Sequence, residues 1–256
     1  MQRKKSLGQH FLRSKGAIKA IIDSSKLNPG DTVLEIGPGE GILTEELVKF
    51  SKKVIAIEKD HRLIPILKEK FKNEITEGKL ELIEGDILES KLNLSSFKVI
   101  ANIPYYITGQ IFRMFLETGH QPESMTLLIQ KEVAEKIVAR DKKESLLSLS
   151  VKAYGIPKIV KIVPRGSFVP PPNVDSAILH ISDISRKNFE NTDEKTFFKI
   201  LHAGFSHKRK VLLSNLSNSY PKEKIMQIFE KIRLNPKTRA EDLPLEKWLE
   251  LSSELA

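Results

Sequence analysis

From Thr32 to Gln130, short apolar runs alternate with stretches whose apolar side chains recur at helical spacing, and this alternation constrains the chain more than any other feature. The runs Thr32–Ile36, Val54–Ile57, Leu80–Glu84, Phe97–Ala101 and Met125–Gln130 are expected as strands. Helices are expected over Ile42–Phe50, around Leu63, Leu67 and Phe71, and along the face formed by Ile111, Phe112, Phe115 and Leu116. Parallel neighbours require crossover connections, and helices on both faces bury such a sheet. The expected class is therefore a doubly wound, Rossmann-like α/β domain.

The flanking segments extend this plan. Ile18, Ile21 and Ile22 predict a helix ahead of the first strand, closed by the turn Asn28-Pro29-Gly30-Asp31. After Gln130 a helical stretch is expected from Lys131 to Tyr154, then a long hairpin at one sheet edge from Ile156–Val163 and Ser176–Ile181. Three consecutive prolines, Pro170 to Pro172, lie between those runs and stiffen the connection toward polyproline II, as either a fixed functional loop or a rigid spacer. The polar segment Asp183 to Asp193 reads as a boundary, giving a sheet domain over 1–185 and a small all-helical domain over 193–256. Phe197, Phe198, Leu201 and Phe205 begin the helical periodicity of the latter.

Composition narrows the function. The 256 residues are 40% hydrophobic and 29% charged, as in a globular protein, and no apolar run approaches the roughly 20 residues of a membrane span. The opening Met-Gln-Arg-Lys-Lys does not lead into a signal-peptide core, so a cytoplasmic chain without membrane partners is expected. Absent cysteine excludes disulfides, thiolate nucleophiles and the usual zinc sites, and the six histidines show no ligand spacing, so no metal is expected. The formal charge of +9 favours a polyanion, with nucleic acid foremost. Arg3, Lys4 and Lys5 form one basic cluster and Lys208, Arg209 and Lys210 another, although either alone also suits a solvated face.

Successive strand ends carry chemistry. The first leads into Gly37-Pro38-Gly39-Glu40-Gly41, where glycine lets a ligand approach the main chain closely. Ile42 stands where a dinucleotide fingerprint needs its last glycine, which argues against a nicotinamide cofactor. Glu58 ends the second strand, where an acid can accept hydrogen bonds from ribose hydroxyls, and Asp86 ends the third, where a carboxylate can accept from an adenine amino group. Each acid alone also suits an ordinary surface position. Together they mark the carboxyl edge of the sheet, where ligands of this fold bind.

The fourth strand ends in Asn102-Ile103-Pro104-Tyr105. An exocyclic amine of a purine is a poor nucleophile because its lone pair is delocalised into the ring. The side-chain oxygen of Asn102 and the carbonyl of Ile103 are suited to accept both amine protons and free that lone pair, with Tyr105 stacked on the base. In isolation the same motif also suits an Asx turn with a buried aromatic.

These motifs, together with Leu7-Gly8-Gln9-His10-Phe11-Leu12, Gln130-Lys131-Glu132-Val133-Ala134, Phe168-Val169-Pro170-Pro171-Pro172 and Val174-Asp175-Ser176-Ala177, resemble the ribosomal RNA adenine dimethyltransferases, and among them the bacterial small-subunit, kasugamycin-resistance type. The resemblance spans nearly the whole chain. It implies S-adenosylmethionine as methyl donor, with Gln9, His10 and Leu12 closing over it, Gly37 and Gly39 holding its methionine part, Glu58 its ribose and Asp86 its adenine. It implies that Asn102 and Tyr105 contact the target base, that Phe168 packs on it, and that the two basic clusters hold RNA. The implied substrate is a pair of neighbouring adenosines near the 3′ end of small-subunit (16S) RNA within an immature subunit, met by a monomer and dimethylated on N6. A large-subunit methyltransferase of the antibiotic-resistance type and a catalytically silent nucleic-acid-binding factor are the alternatives.

Overall fold

The computed structural model describes residues 10–90, 92–190 and 192–256. Its elements are, in chain order, β1 (Phe11–Leu12), α1 (Lys15–Ser25), β2 (Thr32–Ile36), α2 (Ile42–Phe50), β3 (Lys53–Glu58), α3 (Ile64–Lys70), α4 (Lys72–Thr76), β4 (Leu80–Glu84), β5 (Lys98–Asn102), α5 (Thr108–Leu116), β6 (Ser124–Gln130), α6 (Lys131–Val138), α7 (Leu146–Lys152), β7 (Ile156–Val163), β8 (Phe168–Val169), β9 (Ser176–Ser182), α8 (Glu194–Gly204), α9 (Leu212–Leu216), α10 (Lys222–Lys231) and α11 (Leu245–Leu255). The chain forms two compact units, one from Met1–Ala134 with Pro157–Ile184, the other from Glu135–Ile156 with Ser185–Ala256. Among the described residues, no helix is long and apolar enough to cross a membrane.

The first unit holds a seven-stranded sheet in the order β4-β3-β2-β5-β6-β9-β7. The strands from β4 to β6 are parallel, and β9 joins β6 antiparallel, with Gln130 opposite Ser176. Val33, Leu34, Val54, Val99, Ile100, Leu127 and Leu128 are fully or almost fully buried, as strands covered on both faces must be. This doubly wound α/β arrangement is the expected one, and β7 lies at the edge beside β9. Helix α1 starts at Ser14, whose hydroxyl accepts from the Ala17 amide, and buries Ile18 and Ile21 as it packs on β6 and β9.

Two segments depart from expectation. The helical stretch from Lys131 to Tyr154 is broken: Ala139 and Lys142 adopt positive φ, and Ser145 restarts the chain as α7 through a capping box with Ser148. The proline-rich segment contains β8, which pairs antiparallel with β1, Phe11 opposite Val169 and Leu12 opposite Phe168.

In the second unit α7 to α11 bury Phe197, Leu201, Leu212, Ile225, Phe229, Trp248 and Leu251. Residues 135–156, expected with the sheet, cluster here instead. Tyr154 explains the difference: its ring stacks on Phe198 and tilts against Phe189, and its hydroxyl donates to Glu194 at 2.5 Å.

The turn into α2 is the most sterically constrained point of the first unit. Gly41 has φ of +77°, and a Cβ there would lie 2.5 Å from the Phe71 ring. Gly41→Ala is expected to lower stability by roughly 2–4 kcal/mol, read by denaturant unfolding. A change below about 0.5 kcal/mol, the usual range for neutral surface substitutions, would contradict this packing.

Candidate active site

The carboxyl ends of β2, β3, β4 and β5 open onto one cavity of about 420 Å³. Its floor is the turn after β2. Gly37 (φ +66°) and Gly39 (φ +61°) both need the left-handed region; a Cβ at Gly37 would meet open space, whereas one at Gly39 would come within 3.0 Å of the Phe11 ring. The Gly37 amide donates to the Ile57 carbonyl at 2.9 Å, and the Gly39 amide donates to Glu58 Oε2 at 3.0 Å. The Asp60 amide donates to the other oxygen, Oε1, at 2.8 Å. Burial pushes the Glu58 carboxyl above its ordinary range, and these backbone donors work against the shift. Each oxygen retains a lone pair for a ligand.

Asp86 accepts from the Leu88 amide at 3.0 Å and from Lys59 Nζ at 2.5 Å. The Lys59 ammonium beside it holds its carboxyl below the usual range. Asn102, at the end of β5, donates from Nδ2 to the His10 carbonyl at 3.1 Å, which leaves Oδ1 without a donor among the described residues. Tyr105 shares a 2.7 Å hydrogen bond with the Ser176 hydroxyl, and its ring lies nearly parallel to the His10 imidazole at 6.1 Å. Nδ1 of His10 donates in turn to the Pro170 carbonyl at 2.9 Å.

His10, Leu12, Gly37, Gly39, Glu58, Asp86, Asn102 and Tyr105 thus line one cavity. Phe168 does not join them. Its pairing with Leu12 turns the ring into the apolar core with Ile18, Val163 and Ile178, where it is 2% exposed, so in this structure it offers no face to a base. Gln9, Arg3, Lys4 and Lys5 lie outside the described residues. Lys208, Arg209 and Lys210 are exposed in the turn after α8 of the second unit, which Asn215 braces by donating to the Gly204 and His207 carbonyls at 2.6 and 3.1 Å.

Sequence reading missed Lys59, Tyr106, Gln110 and the side chain of Glu35, all of which line the cavity. Glu35 carried a signal, since it is an acid inside the apolar run Val33-Leu34-Glu35-Ile36. It is 1% exposed, and Thr44 Oγ1 donates to its Oε2 at 2.7 Å. Burial, with the nearby Glu58 adding to it, pushes its carboxyl from 4.5 up to about 8.

A doubly wound sheet that presents a glycine turn, two acids and an Asn-x-Pro-Tyr motif on consecutive strand ends defines the class of nucleotide-binding methyltransferases. The family model for ribosomal RNA adenine dimethylases matches residues 1–256, and the chain belongs to that family. It is 43% identical to ribosomal RNA small subunit methyltransferase A of Dehalococcoides mccartyi, over all of this chain and 89% of that relative. With the enzyme of the same name from Bacillus cereus the identity is 37%, over 98% of this chain and 91% of the relative. Among solved structures, a dimethyladenosine transferase from Plasmodium falciparum superposes with a TM-score of 0.81 at 30% identity, over 94% of this chain and 96% of that one. The 23S rRNA methyltransferase ErmE superposes with 0.79 at 27% identity, over 96% and 99%.

Glu35 has a thermodynamic consequence. Its folded value lies above its unfolded one, so no stability is lost below about pH 4.5, the loss grows up to about pH 8, and it is constant above. Glu35→Gln keeps the acceptor for Thr44 and removes the titration. The variant is expected to melt higher than the parent at pH 8, with the gap closing toward pH 5; parallel melting profiles would show that Glu35 is ionised in the folded protein.

Proposed function

We propose that the protein uses S-adenosylmethionine to dimethylate N6 of two adjacent adenosines near the 3′ end of small-subunit ribosomal RNA, acting as a monomer on the immature subunit. Support for the small-subunit target comes from full-length relatives that carry this name at 37–43% identity. The observation that carries the reaction is Asn102, whose side-chain oxygen is left without a donor at the lip of the cavity while its amide nitrogen is anchored to His10.

The cavity suits the donor. Its volume falls in the ordinary range for small-molecule sites. The open space over Gly37 leaves the backbone accessible to the methionine part, with Gly39 beside it and His10, Leu12 and Gln9 closing over it. Both oxygens of Glu58 can still accept from ribose hydroxyls, and Asp86 with the Leu88 backbone faces the adenine. When bound, the donor supplies an electrophilic methyl group on a cationic sulfur.

The protein's own residues prepare the nucleophile. Asn102 Oδ1 and the Ile103 carbonyl accept the two amine protons, which localises the nitrogen lone pair. The hydrogen bond from Ser176 fixes the Tyr105 ring as a platform for a base taken out of its stack. No covalent enzyme intermediate is required, and the amine proton leaves to water because the groups assigned to touch the amine are acceptors. Alignment supplies much of the rate. The exposed turn Lys208–Lys210, with Arg3, Lys4 and Lys5, would hold phosphates of the folded RNA.

Asn102→Ala is expected to lower methyl transfer by at least about a hundredfold while the affinity for S-adenosylhomocysteine, measured by calorimetry, stays within about threefold. Equal loss of both would make Asn102 structural. Replacing Lys208, Arg209 and Lys210 with Gln should weaken RNA binding at low salt and reduce the slope of log affinity against log salt by about 2–3, at roughly one per lost phosphate contact. An unchanged slope would move the RNA surface elsewhere.

A further inference from the structure

Glu35 is a cavity-lining carboxyl group that the mechanism above does not use. It belongs to the strand β2 that ends in the glycine turn, so it lies where the methionine part of the donor is assigned. Only Oε2 is engaged, by Thr44 of α2; Oε1 accepts no hydrogen bond among the described residues, although the residue is 1% exposed. An unsatisfied carboxyl oxygen at the wall of a cavity calls for a donor from the ligand.

The groups around it determine its protonation. Glu58 of β3 repels its ionised form, and Lys70 of α3 favours that form from a distance. The Lys70 charge is already shared with Glu45 of α2 at 2.6 Å, and its Nζ also donates to the Glu40 carbonyl. On the other side β5 presents Ile100, and in the cavity the remaining titratable neighbour toward β1 is His10. No cation therefore sits against Glu35 in the free protein, and burial keeps it neutral at pH 7.

We infer that Glu35 is a further donor-binding residue: its Oε1 receives the α-ammonium of the donor's methionine part, and binding expels the Glu35 proton to solvent. An ammonium at hydrogen-bond distance in this water-poor cavity favours the carboxylate over the acid. The transfer balances, because the ligand enters with its ammonium intact and the carboxyl loses one proton to water. Donor and product carry the same ammonium, so both are captured in this way, and their affinity rises with pH until Glu35 is ionised without help. The inference rests on the donor assigned under Proposed function.

The test uses the whole protein and S-adenosylhomocysteine, titrated calorimetrically in buffers of different ionisation enthalpy. The wild type is expected to release close to one proton per ligand at pH 7 and about half a proton at pH 8, since the free group titrates near 8. Glu35→Gln should lose this release. Thr44→Val removes the hydrogen bond that favours the carboxylate, so its release should persist to higher pH than in the wild type. Binding by the wild type without proton release overturns the inference and leaves the donor assignment standing. Release retained in Glu35→Gln overturns it in favour of Glu58. Absence of any binding removes the donor assignment and this inference together.

Discussion

The carboxylate of Glu58 ties the site together. One oxygen takes the amide of Gly39 from the turn after β2, and the other takes the amide of Asp60 beyond β3. Two adjacent strand ends are thereby fixed in one geometry, at the cost of burying a carboxyl whose ionisation the surroundings disfavour. The backbone donors offset part of that penalty and orient the remaining lone pairs into the cavity. Glycine at 37 and 39 is a condition for this tie, since both positions require positive φ and Gly39 also lies against the Phe11 ring.

A second tie faces the first across the cavity. The short pairing of β1 with β8 brings His10 beside the end of β5, where its carbonyl takes the Asn102 amide nitrogen and its imidazole lies over Tyr105. The amino-terminal segment is thus part of the wall on the side of the Asn-Ile-Pro-Tyr motif. Its hold on Asn102 fixes which end of that amide is left available. Methyl transfer between two bound partners needs both walls placed by the same sheet, and the parallel strands from β2 to β5 do this through their register alone.

Most of the sheet was legible because central parallel strands are continuous apolar runs, and their ends could be read against the glycine turn and the acids. What sequence could not give depended on distant partners. Lys59 looks like an ordinary exposed lysine until β3 and β4 lie side by side and bring Asp86 to it. Phe168 was read from its motif as a base-facing ring, but a two-residue strand carries no periodicity from which its inward face could be deduced. Residues 139–145 interrupt a helical pattern through left-handed backbone at Ala139 and Lys142, neither of them a residue that marks a break. Glu35 was visible as an acid in an apolar strand, but its protonation follows only from complete burial beside a second acid.

The central claim is that this cavity brings an adenosine's exocyclic amine to a methyl donor. It is tested most directly by incubating the protein with immature small ribosomal subunits and labelled S-adenosylmethionine, then mapping modified nucleotides by mass. The account predicts two adjacent N6,N6-dimethyladenosines near the 3′ end of the small-subunit RNA. Label confined to another nucleotide or to large-subunit RNA, or no transfer by a protein that binds the RNA, would contradict it.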